Sequence, residues 1–343
     1  MTLLNKLQKN SKLAHAQILA DSDLFQGKTS IPTAVPALNI ALSGSLDGGI
    51  GSGLTMFAGP SKHFKSLFTL ICAKAYLDKY SDAVLLFYDS EFGTPSSYFE
   101  AVGIDPARVL HAPITDVETL KFDITSQLNN IDRGDHVFIA IDSIGNLASK
   151  KEVEDAQNEK SVADMSRAKS LKSLFRIVTP HLSLKNIPMV VVNHTYKEIS
   201  MFPKDVVGGG TGSYYSADNI YIIGRQQDKE GSEVTGYHFI INVEKSRHTR
   251  EKSKIPITVK HDGGVSKYSG LLDMALNSGH VVVASKGWYS RVDLSTGVIE
   301  DKKWRAKETS NSDFWNEILE DELFREAIRK KYSGSTGNLI DNG

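Results

Sequence analysis

The sequence has little of several features that define specialised classes of protein. Among its 343 residues there is one cysteine, Cys72, which excludes an internal disulfide framework and indicates a reducing compartment. No CxxC or Cys/His pairing suggests a structural zinc site. The N-terminus lacks a continuous apolar segment, and no apolar run reaches the roughly 18 residues that a membrane span needs. We therefore expect a cytoplasmic protein that is neither exported nor membrane-spanning.

An excess of charge of one sign is also missing. The chain has 40 Lys and Arg residues against 41 Asp and Glu residues, so any affinity for nucleic acid must come from local patches. One patch lies between Asp164 and Glu198, where no acidic residue occurs: Arg167, Lys169, Lys172, Arg176, Lys185 and Lys197. A second is opposed only by Glu251: Lys245, Arg247, Arg250, Lys252 and Lys254. The alternative interpretation is two solvated faces, as most charge runs are.

One octet is close to a phosphate-binding loop: Gly59-Pro60-Ser61-Lys62-His63-Phe64-Lys65-Ser66. In that motif backbone N–H groups cradle phosphates, the lysine reaches the β and γ oxygens, and the hydroxyl binds Mg²⁺. Gly59, Lys65 and Ser66 fit those roles, which predicts ATP and Mg²⁺ as cofactors. Phe64 stands where the motif has a second glycine, and we expect its backbone to offer an N–H at ordinary φ and ψ. The alternative is a chance turn.

Short apolar runs alternate with longer helical segments from residue 31 to about residue 270. The predicted strands are 54–58, 83–88, 137–141, 189–192 and 220–223. This alternation predicts an α/β fold with a mostly parallel central sheet flanked by helices. Two later runs, 237–243 and 255–260, are expected to add antiparallel strands at the sheet edge. Ligands of such sheets bind at the carboxyl ends of the strands.

The chain is expected to divide into three units. These are an N-terminal helical arm (1–30), a core (31–270) and a small α+β C-terminal domain with a flexible tail (271–343). Within the core, 150–160 reads as a polar loop and 163–178 as a helix. The C-terminal unit is predicted to contain helix 271–276, a hairpin-like stretch 281–291 and a single helix 311–331.

Polar residues follow three of the predicted strands directly. Glu91, after the second strand, is a candidate general base for a water, although a loop or capping carboxylate is equally compatible. Asp142 ends the third strand and is a candidate for holding Mg²⁺ through water, the alternative being a polar cap. Asn193 and His194 follow the fourth strand and are placed to sense a γ-phosphate. A lone His is more often a satisfied polar residue.

A long loop, 195–212, follows the fourth strand. It has an apolar tip at Met201 and Phe202 and a glycine-rich end that includes Gly208 and Gly209. A tip of this kind usually folds onto a ligand or partner, and it suits insertion between nucleotides. The alternative is that the tip packs against a neighbouring domain.

The predicted helix before that strand has two distinct sides. Lys169, Lys172 and Arg176 fall at i, i+3 and i+7 and form a basic stripe. The buried side is predicted to comprise Leu171, Leu174, Phe175 and Val178. The basic stripe and the long loop behind a nucleotide site indicate a DNA-binding groove in the protein. We expect the bound nucleotide to regulate DNA binding there.

In their order along the chain, these motifs resemble those of the RecA-type strand-exchange recombinases. The matching motifs are 59–66, Tyr88-Asp89-Ser90-Glu91, Ala140-Ile141-Asp142-Ser143, Val192-Asn193-His194 and Gly208-Gly209-Gly210-Thr211. Segments 86–93, 143–151 and 172–180 are more narrowly similar to the UvsX-type branch of T-even-type bacteriophages. The resemblance covers essentially the whole chain, and in that branch Phe also replaces the second glycine.

The resemblance implies a nucleotide site shared between subunits. It implies that 59–66 binds phosphate, that Glu91 is catalytic, that Ser66 and Asp142 associate with the metal, and that Asn193-His194 relays the γ-phosphate state to the DNA loop. His194 stands where bacterial relatives have Gln. Adenine contacts are implied for Tyr98 and, from the neighbouring subunit, Tyr268. Lys245 and Arg247 are implied to reach the neighbour's triphosphate as catalytic cations.

For DNA, the resemblance implies contacts from the helix and the loop. The residues concerned are Lys169, Lys172, Arg176, Met201, Phe202, Gly208 and Gly209. The expected activity is that of a DNA-dependent ATPase that forms a helical filament on single-stranded DNA and exchanges strands with duplex DNA. Expected partners also include a phage single-stranded-DNA-binding protein and a recombination mediator, with no membrane. A RecA-fold helicase motor and a non-hydrolysing DNA-coating protein are the alternatives.

Overall fold

The computed structural model describes residues 2–22, 24, 30–158, 166–199, 201, 203–230, 233–260 and 264–334, without the side chains of 227–230 and 233–235. The helices are α1 Leu3–Asn10, α2 Pro36–Ser43, α3 Lys65–Lys79, α4 Ser96–Val102, α5 Val117–Asn130, α6 Lys150–Gln157, α7 Ser166–Lys185, α8 Thr211–Ser216, α9 Leu271–Ser278, α10 Ser312–Glu320 and α11 Glu322–Tyr332. The strands are β1 Gly53–Ala58, β2 Val84–Asp89, β3 Val109–Pro113, β4 Val137–Asp142, β5 Pro188–Asn193, β6 Thr195–Lys197, β7 Asp205–Val207, β8 Asn219–Glu230, β9 Glu233–Lys245, β10 Lys254–Lys260, β11 Gly264–Val265, β12 Val281–Ser285, β13 Trp288–Asp293, β14 Val298–Ile299 and β15 Trp304–Arg305.

The central sheet has nine strands in the order β11-β10-β9-β8-β1-β5-β4-β2-β3. The six strands from β8 to β3 run parallel, and β9, β10 and β11 add antiparallel to the β8 edge. The predicted α/β class and the antiparallel additions are confirmed. Strand β3 was not predicted, because it is a half-exposed edge strand of five residues that lacks a continuous apolar run.

Both faces of the sheet are covered, so β1, β4 and β5 are buried along their whole length. Helices α2 and α3 pack on one face in a core that continues into α9, α10 and α11. Helices α5 and α7 pack on the other face, where the predicted buried side of α7 is confirmed. Parallel sheets need such cover on both faces, which explains the continuous apolar runs in the sequence.

Three predictions about helices were wrong. Residues 150–157 form α6 rather than a loop, because Ser149 and Glu152 make a reciprocal capping box. Helix α7 continues through Pro180 to Lys185 instead of ending at residue 178. The predicted helix 311–331 is two helices that meet at Asp321, whose carboxylate accepts a hydrogen bond from the backbone N–H of Leu323 and caps α11.

The C-terminal part has a separate small sheet in which β13 pairs antiparallel with β12, β14 and β15. This agrees with the predicted hairpin at 281–291. At the other end of the chain, α1 is exposed along its length. Across the described ranges, each helix is too short or too polar to cross a membrane.

Candidate functional site

The parallel register brings the predicted strand-end residues to one edge of the sheet. Ala58 pairs with Asn193, and Asp89 pairs with Asp142. Beyond these strand ends lies a cavity of about 450 Å³. Its lining comprises Ser61, Lys62, His63, Phe64, Lys65, Ser66, Glu91, Gly93, Thr94, Tyr98, Asp142, Val192, His194, Arg225 and Tyr237. The sequence predicted ten of these residues.

The loop from Gly59 to Phe64 connects β1 to α3 and has an unexpected backbone. Phe64 has φ 54° and ψ 25°, in the left-handed region, and Lys62 has φ 61°. The expectation of ordinary φ and ψ at Phe64 was therefore wrong. Residue 64 has the backbone conformation that glycine adopts at low cost, although the residue is not glycine.

Side-chain contacts to β8 and β9 hold this loop in place. His63 Nδ1 lies 2.7 Å from the carbonyl oxygen of Ile223, and burial lowers the pKa of His63. The Phe64 ring packs on Phe239 with centroids 5.2 Å apart. Burial of the ring offsets the backbone strain at residue 64, which is on the order of 1–2 kcal/mol.

Lys65 begins α3 and is almost completely buried at the cavity wall. Its Nζ donates to the carbonyl oxygen of Pro60 at 2.7 Å. Burial lowers the pKa of Lys65, while the charges of Glu91 and Asp142 act in the opposite direction. The ammonium therefore faces two carboxylates and a carbonyl, an environment that an anionic phosphate would complete.

The residues around Asp142 fit a divalent cation. Asp142 is 3% exposed, and its Oδ1 is buried without a hydrogen-bond partner. Burial raises the pKa of Asp142 to about 6; a hydrogen bond from Ser66 lowers it, and the charges of Glu91 and Asp89 raise it further. An unpaired carboxylate oxygen beside a hydroxyl supplies the hard oxygen ligands that Mg²⁺ prefers.

Side chains from several elements contact one carboxylate oxygen of Glu91. Oε1 accepts hydrogen bonds from Ser143 Oγ at 2.9 Å and Asn146 Nδ2 at 3.2 Å. His194 Nε2 lies 3.2 Å from the same oxygen. Asp89 shapes the turn beneath, because its Oδ1 accepts from the backbone N–H groups of residues 91 and 92. These contacts orient the carboxylate of Glu91, which lines the cavity.

The end of β5 joins the cavity to the loop that follows it. Asn193 is buried, and its Nδ2 donates to the carbonyl oxygen of Gly208 at 2.9 Å. The backbone N–H of Gly208 donates to the carbonyl oxygen of His194 at 2.9 Å. His194 also contacts Glu91. A displacement of Glu91 in the cavity is therefore transmitted through His194 to the backbone of residue 208.

The loop 195–212 is more ordered than its composition predicted, because β6 and β7 pair as an antiparallel ribbon. Ile199 and Met201 near its tip are almost fully exposed, so neither packs on another described part of the chain. Phe202 lies outside the described residues. An exposed apolar tip on a ribbon is available to a ligand or a partner.

The glycine-rich end of this loop packs against α7. A Cβ added to Gly212 would lie 2.6 Å from the Lys172 Cβ, so the approach requires glycine. Lys169, Lys172 and Arg176 are exposed, as the predicted stripe requires. Other cations of that patch are used locally: Lys185 donates to the carbonyls of Leu128 and Ile131, and Lys197 pairs with Asp205 at 2.9 Å.

The two tyrosines predicted to contact adenine lie in different places. Tyr98 lines the cavity and is half-buried. Tyr268 stacks on Trp315, with ring centroids 6.0 Å apart, and is not part of the cavity lining.

Lys245 and Arg247 lie near the start of β1, at the opposite end of the central strands from the phosphate loop. Lys245 Nζ donates to the carbonyl oxygens of residues 214, 215 and 217, and Arg247 Nε donates to Asp218 Oδ1 at 2.5 Å. Asp218 in turn accepts from the backbone N–H of Leu54 at the start of β1. The far end of β1 is roughly 15 Å away, beyond the reach of either cation.

Sequence reasoning missed several residues of the site. Ser143 and Asn146 bind Glu91, and Arg225 and Tyr237 complete the cavity wall. The Arg225 guanidinium lies 4.7 Å from the centre of the Tyr237 ring. Arg225 and Tyr237 come from antiparallel strands that carry no motif, so only the β8–β9 pairing reveals them.

The first prediction concerns Phe64. Phe64→Gly and Phe64→Ala both remove the ring from Phe239, but only glycine relaxes the left-handed backbone. We expect Phe64→Gly to be more stable than Phe64→Ala by about 1 kcal/mol and to retain nucleotide binding. Urea unfolding and titration with a fluorescent ATP analogue measure the two effects. Complete loss of binding in Phe64→Gly would contradict this assignment of the ring.

A second prediction concerns the buried carboxyl of Asp142. Because its folded-state pKa of about 6 exceeds its usual 3.8, the stability it contributes is present below about pH 4 and lost as pH rises through 6. Without Mg²⁺, Asp142→Asn should therefore be more stable than the wild type at about pH 7.5, by on the order of 2 kcal/mol, with no gain near pH 4. Urea midpoints at both pH values measure this.

Asp273→Asn is the control, because Asp273 is an exposed carboxylate on α9. Its effect should stay within about 0.5 kcal/mol at either pH. An equal gain for Asp142→Asn at both pH values would count against the assigned cause.

Two family models together match nearly the whole chain. The family model of the RecA N-terminal domain matches residues 8–266, and that of the C-terminal domain of the bacteriophage T4 recombination and repair protein matches residues 268–328. The recombination and repair protein of Enterobacteria phage T4 is 52% identical over 96% of this chain and 85% of its own length. Protein RecA of Symbiobacterium thermophilum is 26% identical over 79% of this chain and 76% of its own, and that of Bacteroides thetaiotaomicron is 25% identical over 86% and 87%.

These matches agree with the sheet order, the phosphate loop and the carboxylates at the strand ends. The single edge that carries Lys65, Glu91 and Asp142 is the nucleotide-binding edge expected of that fold. The chain belongs to the RecA family and, within it, to the UvsX-type branch represented by the phage T4 recombination and repair protein.

Proposed function

We propose that this protein is an ATP-dependent DNA recombinase that forms a helical filament on single-stranded DNA, pairs it with homologous duplex DNA and exchanges strands. The hydrogen bond between Glu91 and His194 is the observation that carries the proposal, because it joins the nucleotide cavity to the ribbon. The family membership supports the same activity. A DNA-coating protein without hydrolysis would not need an oriented carboxylate facing a phosphate loop.

In this proposal the loop 59–66 binds the triphosphate, with Lys65 at the β and γ oxygens and Tyr98 at adenine. Ser66 and Asp142 hold Mg²⁺, which neutralises charge on the phosphate oxygens. Glu91 orients and partly deprotonates the attacking water. Its fixed position, set by Ser143 and His194, supports that role because general-base catalysis depends on geometry before pKa.

The switch between nucleotide and DNA is assigned to Asn193 and His194. A γ-phosphate competes with Glu91 for the His194 imidazole, and the resulting shift reaches Gly208 through the contacts at the end of β5. DNA phosphates bind the stripe of Lys169, Lys172 and Arg176, while the ribbon tip with Met201 and Phe202 and the turn at Gly208 and Gly209 contact the strand. Such contacts set affinity without specifying sequence.

We further propose that ATP lies between adjacent subunits, with Lys245, Arg247 and Tyr268 supplied by the neighbour. This is supported by the position of both cations far from their own phosphate loop. The unit boundaries 1–30, 31–270 and 271–343 also belong to the proposal, with the first as the polymerisation arm. The proposal also includes action in the host cytoplasm and partnership with a phage single-stranded-DNA-binding protein and a recombination mediator.

The test of the activity uses Lys65→Ala. Loss of the ammonium should lower single-stranded-DNA-stimulated ATP hydrolysis by about 100-fold or more and abolish ATP-dependent strand exchange. Lys79→Ala, at the exposed last turn of the same helix, is the control. Hydrolysis is measured with and without DNA over a salt series, because phosphate contacts weaken with salt. A wild type without DNA stimulation at low salt would refute the proposal.

The shared site is tested by mixing two inactive proteins. One carries Glu91→Gln, and the other carries Lys245→Ala with Arg247→Ala. In a random equimolar filament about one quarter of the head-to-tail interfaces combine an intact loop with intact partner cations. We expect recovery of about a quarter of the wild-type ATPase rate. If the mixture stays as inactive as its components, the cations do not act across the interface.

A further inference from the structure

Asp218 connects the Arg247 side chain to the start of β1. The backbone N–H of Asp218 donates to the carbonyl oxygen of Leu54 at 2.8 Å, and Asp218 Oδ2 accepts from the backbone N–H of Leu54 at 2.9 Å. A Cβ added to Gly53 would lie 2.3 Å from this Oδ2, so the contact requires glycine beside it. The remaining oxygen, Oδ1, is thereby fixed in place, and it accepts from Arg247 Nε at 2.5 Å.

The backbone of Arg247 is held by the residue next to Asp218. Asn219 is buried, and its Oδ1 accepts from the backbone N–H of Arg247 at 3.3 Å and from Ser246 Oγ at 3.0 Å. Both ends of the Arg247 side chain therefore have a partner that is attached to the central sheet. An arginine side chain that is not held in this way loses much more rotamer freedom when it binds a ligand.

Lys245 and Arg247 differ in how many of their donors are used within the subunit. Lys245 Nζ donates to three carbonyl oxygens at the end of α8, and an ammonium has only three N–H donors. Arg247 contributes one of the five N–H donors of a guanidinium to Asp218, and 71% of its side chain is exposed. Arg247 can therefore bind a phosphate through its Nη atoms without losing a contact inside its own subunit, whereas Lys245 cannot.

We propose that Asp218 is a positioning residue for Arg247, which it holds through Nε so that the Nη donors are presented to the triphosphate of the neighbouring subunit. This rests on the proposed function, because Arg247 must act across the interface. A phosphate accepts two parallel hydrogen bonds from a guanidinium, and the two Nη atoms supply them while Nε stays on Asp218. Because the side chain is held before the subunits assemble, less freedom is lost when the phosphate binds.

The experiment measures kcat/KM for ATP of full-length Asp218→Asn with saturating single-stranded DNA. Asn has the shape of Asp but one acceptor oxygen in place of two. That oxygen serves the fixed N–H of the buried Leu54, which leaves the amide group, a donor, facing Arg247 Nε. We expect kcat/KM to fall by about tenfold, because the guanidinium is no longer oriented. The urea midpoint checks that the fold is retained.

Two results of this measurement contradict the proposal. A wild-type kcat/KM in Asp218→Asn would show that Arg247 does not need the contact. A kcat/KM above that of the wild type would show that the carboxylate competes with phosphate for the guanidinium, and so restrains Arg247 where we propose that it positions it.

Asp47→Asn is the matched control. Asp47, Asp218 and Arg247 line the same cavity of about 680 Å³. Asp47 also faces guanidinium groups, those of Arg325 and Arg329, each at 3.6 Å. The substitution removes the same charge from the same region without touching Arg247, so kcat/KM should stay at the wild-type value. An equal fall would mean that the lost negative charge causes the effect, which overturns the proposal.

A mixed filament separates positioning across the interface from a defect inside the subunit. When Asp218→Asn is mixed with equal amounts of Glu91→Gln, the intact catalytic sites belong to the Asp218→Asn subunits. About half of these sites face the unaltered Arg247 of a Glu91→Gln subunit. The rate per Asp218→Asn subunit should therefore rise from about a tenth to about half of the wild-type rate. If it does not rise, Asp218 acts within its own subunit and the proposal is wrong.

The double variant with Arg247→Ala tests whether Asp218 acts through the guanidinium. In that background Asp218→Asn should cause no further fall, since residues that act as one unit are not additive. A further tenfold fall would overturn the proposal. An Arg247→Ala protein as active as the wild type would refute the proposed role of the cation itself, whereas an impaired Arg247→Ala beside a fully active Asp218→Asn would overturn the positioning alone.

Discussion

The parallel pairing of β1, β5, β4 and β2 is the constraint on which the site depends. Parallel strands end at the same edge, so residues far apart in sequence meet once the register is set. The pairing of Asp89 with Asp142 and of Ala58 with Asn193 fixes that register. Lys65, Glu91 and Asp142 share one cavity for this reason. Burial on both sheet faces makes a slip of the register costly.

The antiparallel strands β8 and β9 have two roles in the same molecule. At one end they hold the phosphate loop through Ile223 and Phe239, which supports a loop that lacks its second glycine. At the other end β9 leads into Lys245 and Arg247, at the opposite end of the central strands. The β8–β9 pair thus spans the distance between the cavity beyond the strand ends and the position of Lys245 and Arg247.

The positions of the charged side chains, rather than the net charge of the chain, determine what those side chains bind. Formal charges nearly cancel over the chain, yet exposed cations gather on one side of α7 while other lysines and arginines bind carbonyl oxygens or carboxylates nearby. Arg167 belongs to the second group although it precedes Lys169 by only two residues in the sequence. Sequence proximity alone does not separate cations available to phosphate from cations that hold the backbone.

The sequence by itself determined the α/β class, the phosphate loop, the strand-end carboxylates and the basic stripe, because each depends on local periodicity or on residue types at fixed spacing. It did not determine the left-handed backbone of Phe64, the edge strand β3, or the contacts of Asn146 and Arg225. Only the tertiary structure decided these, because each depends on which strand or helix lies beside the residue. Phe64 shows the reason clearly: the residue type disfavours its backbone conformation, and packing on Phe239, 175 residues away, stabilises it.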